Sequence, residues 1–335
     1  MTPKSKARNP FRRYASLLGA TLFLTLGSPL AAGAETIATP DTTGQFLNGA
    51  APLLHNTKLS QSAVQICYAT FCAITSTDTH GAIATAERLT DRQVQNAMAA
   101  DRSGQTFFPD PHLPASGSAR SSDYTRSGYD RGHMAPWADS ADPNCFTLAN
   151  IVPQNPDNNR HLWEHIEVVT RKMARHYGTI FVVSGPIFYG HRPTRMDHTD
   201  VLVPTGFYKA IYIPQTGEAS AYIVHNQPGD WWKPATLHDV QEITGTDVFP
   251  SLPEAVKTRL IQLPYPGERH GKTPPAPGRF TAEQFSAEIT NYDPSRAGSA
   301  TNISQNANPA QTDRMLEEVK KTLTRRGLRA FEHLL

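Results

Sequence analysis

One histidine stands in a segment suited to present a base. Residues 129–136 read YDRGHMAP, so His133 follows an arginine and a glycine, and a proline ends the segment. An imidazole has an ordinary pKa near ~6.5, so a neutral fraction can take a proton from water at ordinary pH. Hydrolytic reactions need such a base to activate the attacking water. The pattern predicts a base at a bent strand end, and a structural histidine bonded to a backbone carbonyl is the alternative.

A cluster of amide and carboxylate side chains follows on the next predicted elements. Asn150 opens the string NIVPQN, and Asn159 begins a predicted helix that carries Glu167 two turns later. An amide oxygen is a hard, neutral ligand that suits Mg²⁺, which retains several waters and takes few protein ligands. Asn159 is therefore a candidate metal ligand. From position alone, Asn155 and Asn158 compete with it, and a helix N-cap is the alternative role.

The two segments, in this order, resemble the DNA/RNA non-specific endonucleases, a family that carries a ββα-metal (His-Me finger) site. Other strings along the chain support the resemblance, namely SGP at 184–186, VPT at 203–205, FYK at 207–209 and ITG at 243–245. The resemblance covers about residues 61–262. It implies an enzyme that cleaves phosphodiester bonds in DNA and RNA.

The resemblance also implies roles for individual residues. It makes His133 the general base and Asn159, eight residues before Glu167, the direct ligand of Mg²⁺, for which Mn²⁺ can substitute. Glu167 would hold the waters around the metal and Arg171 would orient it, while a plain i,i+4 salt bridge is the alternative. His161 departs from the family, which often has a small residue there. It would either crowd the helix start or add a second titratable group.

Three arginines compete for the phosphate. By resemblance Arg88 is the upstream strand arginine that stabilises the charge developing on the phosphate. Arg102 also precedes the motif and offers the same guanidinium fork. Arg131 either helps the site and its phosphate or forms a salt bridge with Asp130. Asn150 is a supporting residue, expected to brace the turn between the strand and the helix.

The elements that must position these residues are strands on either side of an inserted helix. An apolar period of ~3.6 residues over 159–176 predicts the helix that carries Asn159. Apolar runs predict strands over 63–75, 82–89, 145–152, 180–184, 201–213 and 219–225. Thr90 is expected to cap a short helix, and Gly245 to end another. This order favours an α+β fold, an antiparallel sheet core with an inserted ββα-metal motif and flanking helices.

The N-terminal segment has the features of a secretory signal. Five basic residues precede a largely apolar run over 17–30, and AGA at 32–34 offers a cleavage site after Ala34. The run is short for a membrane span, so we expect a secreted or periplasmic protein with no stable membrane insertion after cleavage. An uncleaved anchor is the alternative.

Net charge gives no support to a broad nucleic-acid surface. Of 32 basic and 30 acidic residues, the signal removes five basic ones, and 27 minus 30 leaves −3. Proteins that grip nucleic acid through many phosphate contacts are usually basic. A nucleic-acid site must therefore be a local patch.

Composition divides the chain into five predicted segments. They are a signal peptide over 1–34, a loose mature N-terminus over 35–60, the endonuclease domain over 61–263, a Pro/Gly/Ser/Asn-rich linker over 264–310 and a C-terminal helix over 311–335. The last helix carries a basic patch, for which a solvated face is the favoured interpretation.

The three cysteines can form at most one disulfide, which leaves at least one of them unpaired. Cys67 and Cys72 are five apart in one predicted strand and would project from opposite faces, so a bridge between them is expected to be awkward. Pairing of either one with Cys145 stays open. No spacing typical of a zinc site is present in the sequence.

These features predict a secreted or periplasmic, Mg²⁺-dependent endonuclease that cleaves DNA and RNA. Little sequence preference is expected, because phosphate contacts carry no sequence information. The resemblance implies 5′-phosphate ends, and an inhibitor protein is a further candidate partner. Two alternatives remain: a catalytically silent nucleic-acid-binding or structural protein, and a phosphodiesterase acting on small nucleotides.

Overall fold

The computed structural model describes residues 35–38, 43–189 and 194–267. Its strands are β1 (Glu35–Ala38), β2 (Leu53–Leu54), β3 (Ala63–Cys67), β4 (Cys72–Ser76), β5 (Gly81–Thr90), β6 (Asp130–His133), β7 (Ile151–Gln154), β8 (Thr179–Ile187), β9 (Thr194–Arg195), β10 (Leu202–Val203), β11 (Gly206–Ile213), β12 (Glu218–His225), β13 (Trp232–Ala235) and β14 (Thr246–Asp247). Eight of them form one sheet in the order β1-β3-β4-β5-β8-β11-β12-β13. Neighbours in this sheet are antiparallel, apart from the parallel pair β1 and β3.

The helices lie between and after the strands. They are α1 (Thr57–Gln61), α2 (Asp91–Ala99), α3 (Trp137–Ser140), α4 (Pro156–Asn158), α5 (Glu164–Tyr177), α6 (Leu237–Thr244) and α7 (Glu254–Lys257), with a π-helical segment over Asn159–Trp163 that joins α4 to α5. Thr90 caps α2 in a capping box, as predicted. Gly245 ends α6 in the left-handed conformation that glycine adopts at little cost, also as predicted.

Both faces of the large sheet are buried. In β11, Phe207 packs into the cluster that contains Ile166 of α5, whereas its neighbour Tyr208 packs into the cluster that contains Val240 of α6. Alternate residues of a strand point to opposite faces, so α5 covers one face and α6 covers the other. This sandwiching explains why the central strands are apolar throughout instead of alternating with polar residues.

The small sheet of β6 and β7 carries the motif. The two strands are antiparallel, and His133 at the end of β6 pairs with Ile151 at the start of β7. Gly132 is required by the close approach of β7, because a Cβ on Gly132 would lie 2.1 Å from Oε1 of Gln154. The chain leaves β7 directly into α4 and the helix that follows. These elements form the predicted strand–strand–helix unit.

The predicted strand over 63–75 is wrong, because the chain turns at 68–71 and forms the hairpin of β3 and β4. Cys67 and Cys72 are register partners across this hairpin and form a disulfide. The expectation that their bridge would be awkward is therefore also wrong. Cys145 is a buried free thiol.

Two other predicted segments differ from the structure. The N-terminal stretch 35–60, predicted to be loose, contains β1, two 3-10 turns, β2 and part of α1, and Phe46 and Leu47 are buried in the core. Residues 145–152 lie mostly in 3-10 turns, and only Ile151 and Val152 belong to a strand.

The remaining predicted segments lie largely outside the described residues. These are the signal segment 1–34, residues 268–310 of the linker and the C-terminal helix over 311–335. Among the described helices, none has both the length and the apolar character needed to cross a membrane.

Candidate active site

The imidazole of His133 lies between two aromatic rings. The ring centroids of Phe107 and Phe146 are each 5.2 Å from that of His133, and the contact with Phe146 is edge-on. The Nε2 atom is buried without a hydrogen-bond partner in the described structure. Burial, together with the positive charge of Arg102, lowers the pKa of His133 from 6.5 to about 3. The ring is therefore neutral at ordinary pH, and the same shift makes it a weaker base than a free imidazole.

Asn150 fixes the backbone that follows His133. Its amide nitrogen donates to the carbonyl oxygens of Ala135 (2.8 Å) and Cys145 (2.9 Å). Its Oδ1 accepts from the backbone N–H of Ala135 and from the hydroxyl of Thr85 in β5. All four bonds are buried, so Asn150 holds the β6–α3 turn against the large sheet.

Asn159 is tied to the strand that carries His133. Its Nδ2 donates to Oδ2 of Asp130 at 3.0 Å, which leaves Oδ1 as the free end of the amide. Arg160 grips the same carboxylate with two bonds, at 2.8 and 2.6 Å. At the other end of β6, Nε1 of Trp163 donates to the carbonyl oxygen of His133 at 3.4 Å. The π-helical segment is thus fastened to β6 at both ends, and such segments are often found at functional sites.

A buried group of charges lies behind Glu167. Arg171 bonds Asp139 at 2.9 Å, and its Nη1 is 3.9 Å from Oε2 of Glu167. Burial raises the pKa of Glu167 from 4.5 to about 7, against the lowering effect of Lys209 and Arg171. Burial also raises the pKa of Glu87 well above its ordinary value. Arg171 therefore has two carboxylate neighbours, and the pairing with Asp139 is the closer one.

The predicted arginines occupy different places. Arg131 donates to the backbone oxygen and hydroxyl of Ser121, and its guanidinium lies 5.2 Å from the ring of Phe107 and 5.3 Å from that of Tyr124. Arg160, and not Arg131, pairs with Asp130. Arg131 therefore fastens the preceding loop to the motif.

Arg88 and Arg102 lie on different sides of the sheet. Arg88 is exposed and lies two residues after Ala86, so it shares the face of β5 on which Ala86 packs into the core toward α6. Glu87 and Thr85 point the other way, toward Glu167 and Asn150. The structure therefore does not bring Arg88 to His133. Arg102 is exposed and lies 5.2 Å above the ring of Phe146, close enough to His133 to influence its pKa.

Comparison of the sequence with known protein families supports the resemblance on which these residues were chosen. The sequence profile of the DNA/RNA non-specific endonucleases matches residues 49–255, more than half of the chain. The chain belongs to this family. The resemblance predicted from the sequence is thereby confirmed.

Several nucleases of known name are similar to the chain in sequence. "Nuclease EXOG, mitochondrial" of Mus musculus is 34% identical over 189 residues, 48% of this chain and 51% of the relative. "Nuclease C1" of Cunninghamella echinulata var. echinulata is 33% identical over 190 residues, 50% of this chain and 75% of the relative. "Endonuclease G, mitochondrial" of Homo sapiens is 30% identical, over 45% of this chain and 56% of the relative. The chain thus spans about half the length of the mouse relative.

A solved structure shares the fold. The crystal structure of the EndoG/EndoGI complex contains a chain that superposes with a TM-score of 0.57 and 24% identity, covering 66% of this chain and 96% of that one. The α+β fold with a large antiparallel sheet, predicted from the sequence, is confirmed.

The donor set of the candidate site fits a weakly held, hard cation. Within the described ranges, no group of three or more His, Cys, Asp or Glu side chains could hold a metal ion. The oxygen left free on Asn159 is a single neutral ligand. Mg²⁺ keeps several waters and is bound by one or two protein oxygens, so this sparse set fits Mg²⁺ better than a cation that needs a protein cage.

Sequence reasoning missed three residues that belong to the site's surroundings. Glu87, Asp139 and Lys209 are buried and interact electrostatically with Glu167. Asp139 lies six residues after His133, and Lys209 is a charge within an apolar strand. A charged residue in such a strand is the signal that could have revealed Lys209, because lysine is almost never fully buried without a partner.

Proposed function

We propose that the protein is a metal-dependent endonuclease that hydrolyses phosphodiester bonds of DNA and RNA with little sequence preference. The supporting observation is the fastening of β6 to the π-helical segment at both ends. Asp130 bonds Asn159 at one end, and the carbonyl oxygen of His133 accepts from Trp163 at the other. A neutral base and a free amide oxygen are therefore held on two connected elements.

In the proposed reaction His133 takes a proton from the attacking water. The new bond joins the water oxygen to phosphorus, and the bond from phosphorus to the 3′ oxygen breaks. The leaving oxygen takes its proton from water, which gives a 3′ hydroxyl and a 5′ phosphate. Because its imidazole is already neutral, His133 does not have to lose a proton before it can act.

The exposed guanidinium of Arg102 is the group that we assign to the phosphate. It can donate two hydrogen bonds to phosphate oxygens and so offset the charge that builds up during the reaction. Arg131, whose Nη2 donates to Ser121, keeps the loop between Arg102 and the motif in place.

The proposed cofactor is Mg²⁺, with Mn²⁺ as a substitute, and Asn159 would be its direct protein ligand. When bound, the cation would neutralise phosphate charge and stabilise the leaving oxygen. Glu167 would orient the waters of the site, and Arg171, itself held by Asp139, would orient Glu167. Glu167 and Arg171 do form the i,i+4 ion pair, at 3.9 Å, and this pairing is compatible with both the plain salt bridge and the orienting role.

We further propose that the protein is secreted or periplasmic, with a signal peptide over 1–34 cut after Ala34. The charge and apolar pattern of that segment supports this. The disulfide of Cys67 and Cys72 is compatible with an oxidising compartment. N-terminal sequencing of exported protein tests the cut. An inhibitor protein that covers the site remains a candidate partner, as the solved EndoG structure contains an inhibitor complex.

Plasmid and RNA cleavage test the activity. Mature protein is incubated with supercoiled plasmid and with structured RNA, in Mg²⁺ and in EDTA, beside His133→Ala. His238→Ala, a substitution on helix α6 over the opposite sheet face, is the matched control. We expect both substrates to be cut in Mg²⁺ only, with activity lost in His133→Ala and kept in the control. The ends are checked for a 5′ phosphate.

The same experiment separates the alternatives. A folded wild-type protein that cuts neither substrate in Mg²⁺ would refute the nuclease proposal and favour a silent binding protein. Cleavage of a small thymidine phosphodiester without cleavage of plasmid or RNA would favour a phosphodiesterase of small nucleotides. Equal activity of His133→Ala would remove His133 from the mechanism.

A further inference from the structure

Lys209 is a cation in the centre of the large sheet. It lies in β11, its side chain is fully buried, and its Nζ donates to the hydroxyl of Ser184 at 2.7 Å. Ser184 in β8 is the cross-strand partner of Lys209 on one side and of Thr85 in β5 on the other. Burial of an ammonium group is costly, and one hydroxyl does not offset that cost. The compensation must come from nearby carboxylates.

Two carboxylates, the buried Glu87 and the partly buried Glu167, interact electrostatically with this ammonium group. Glu87 lies two residues after Thr85 and so on the same face of β5. Oε2 of Glu87 is buried without a hydrogen-bond partner in the described structure. The positive charge of Lys209 opposes the effect of burial on the pKa of both Glu87 and Glu167. The other charged groups that act on Glu167 are Arg171, Asp139, Glu164 and Glu87.

Lys209 also supports the start of the helix. Its Nζ lies 5.1 Å from the centroid of the Trp163 ring, in a cation–π contact. The same indole donates to the carbonyl oxygen of His133 and packs on Phe207. One buried cation thus contacts the residue that holds the base and acts on the carboxylate four residues along the helix.

We propose that Lys209 is a positioning residue of the endonuclease site, whose ammonium group holds Trp163 beneath the His133 backbone and acts electrostatically on the Glu167 carboxylate. The inference rests on the proposed hydrolytic function. Lys209 does not touch the substrate, so it acts through Trp163 and Glu167. A lysine that served packing alone would be replaceable by methionine, which has a similar length and no charge.

The test compares Lys209→Met with Lys257→Met. Lys257 is also buried and pairs with Asp247 at 2.6 Å, but it lies in α7, against the other core cluster. We expect Lys209→Met to lower kcat by about 10- to 100-fold, as outer groups of metal sites do, while KM changes by less than about two-fold. Lys257→Met is expected to lower the Tm and leave kcat unchanged. A folded Lys209→Met protein with wild-type kcat would overturn the proposal.

A double variant with Glu167→Gln tests the route through Glu167. If Lys209 acts through this carboxylate, the double variant is no less active than the less active of the two single variants. Losses that multiply would overturn that route. Should Lys209→Met not fold, Glu87→Gln/Lys209→Met replaces it, because this pair removes the buried Glu87 carboxylate, whose Oε2 has no hydrogen-bond partner in the described structure, together with the cation.

A carboxyl-carbon NMR titration gives a readout that does not require nuclease activity. Removal of the Lys209 charge is expected to raise the titration midpoint of Glu167, whereas Lys257→Met leaves it unchanged. An unchanged midpoint in both variants overturns the electrostatic coupling between Lys209 and Glu167, whatever the activity. An inactive wild type, together with a raised Glu167 midpoint in Lys209→Met, would refute the proposed function and retain this coupling.

Discussion

Arg102→Ala is expected to lower kcat/KM by roughly 10- to 150-fold. A charge-assisted hydrogen bond contributes about 1.5–3 kcal/mol, and each ~1.36 kcal/mol changes a rate tenfold. The effect on the base has the opposite sign, because Arg102 lowers the pKa of His133 and its removal makes the imidazole more basic. A loss of activity therefore has to come from the phosphate and not from the base.

The assay is the initial rate of plasmid and RNA cleavage at saturating Mg²⁺, for three arginine variants in parallel. Arg88→Ala serves as the matched control, because Arg88 is also exposed but lies on the face of β5 away from His133. Its rate is expected to stay within about two-fold of wild type, as for most surface substitutions. Arg131→Ala is expected to lose thermal stability as well as activity, since Arg131 bonds Ser121 and covers two aromatic rings.

The ranking of the variants decides the assignment. A large loss in Arg88→Ala with wild-type rates in Arg102→Ala would refute the placement drawn from the strand faces and restore the assignment based on resemblance. Equal losses of activity in Arg88→Ala and Arg102→Ala would mean that substrate reaches both faces of the large sheet. Arg102→Lys gives a further check, because it keeps the charge but not the planar fork and should recover only part of the rate that Arg102→Ala loses.

Three other substitutions have separate readouts. Asn159→Ala should raise the Mg²⁺ concentration for half-maximal activity by more than about 10-fold. Its control, Asn158→Ala, breaks bonds to Gln154 and His225 and should lower the Tm without changing the Mg²⁺ requirement. Equal Mg²⁺ dependence of the two variants would remove Asn159 as the ligand. Glu167→Gln should stabilise the protein more at about pH 8 than at about pH 5. Between pH 4.5 and about 7 the folded protein keeps a proton on Glu167 that the unfolded chain has released, so the stability of the wild type falls as pH rises through this range, whereas glutamine stays neutral. A Tm difference between the two proteins that does not depend on pH would contradict this. Gly132→Ala should cost about 1–3 kcal/mol in urea unfolding through overpacking, while Gly44→Ala, with open space around it, should cost little.

The strand–strand–helix arrangement of the motif was predictable from the sequence, and so were the elements with a strong local signal. The helix that carries Asn159 has a clear apolar period, and α2 and α6 have the capping threonine and the terminal glycine expected of them. The hairpin of β3 and β4 was not predictable in this way. Its turn, YATF at 68–71, contains no glycine, proline, asparagine or aspartate, so nothing in the sequence separates the two strands.

The face on which each strand residue lies was the information that the sequence lacked. A strand with one solvated face alternates polar and apolar residues, and the alternation reveals which side chains share a face. β5 is buried on both faces over most of its length, so Ala84, Thr85 and Ala86 give no alternation to follow. The choice between Arg88 and Glu87 as the residue near the site therefore depends on which helix covers which face, and that is set by contacts far apart in the chain.

The same burial explains why the charges behind the site escaped notice and why they matter. Glu87 and Lys209 lie on strands that pack between two helices, where a charge is tolerated only if an opposite charge is near it. Apolar residues of similar size would be no less stable there, and often more so. If stability alone governed these positions, removing both charges together should raise the Tm and leave catalysis unchanged. If they position Glu167 and Trp163, the same double change should raise or keep the Tm and lower kcat, and that opposition between stability and activity is the signature of a functional group.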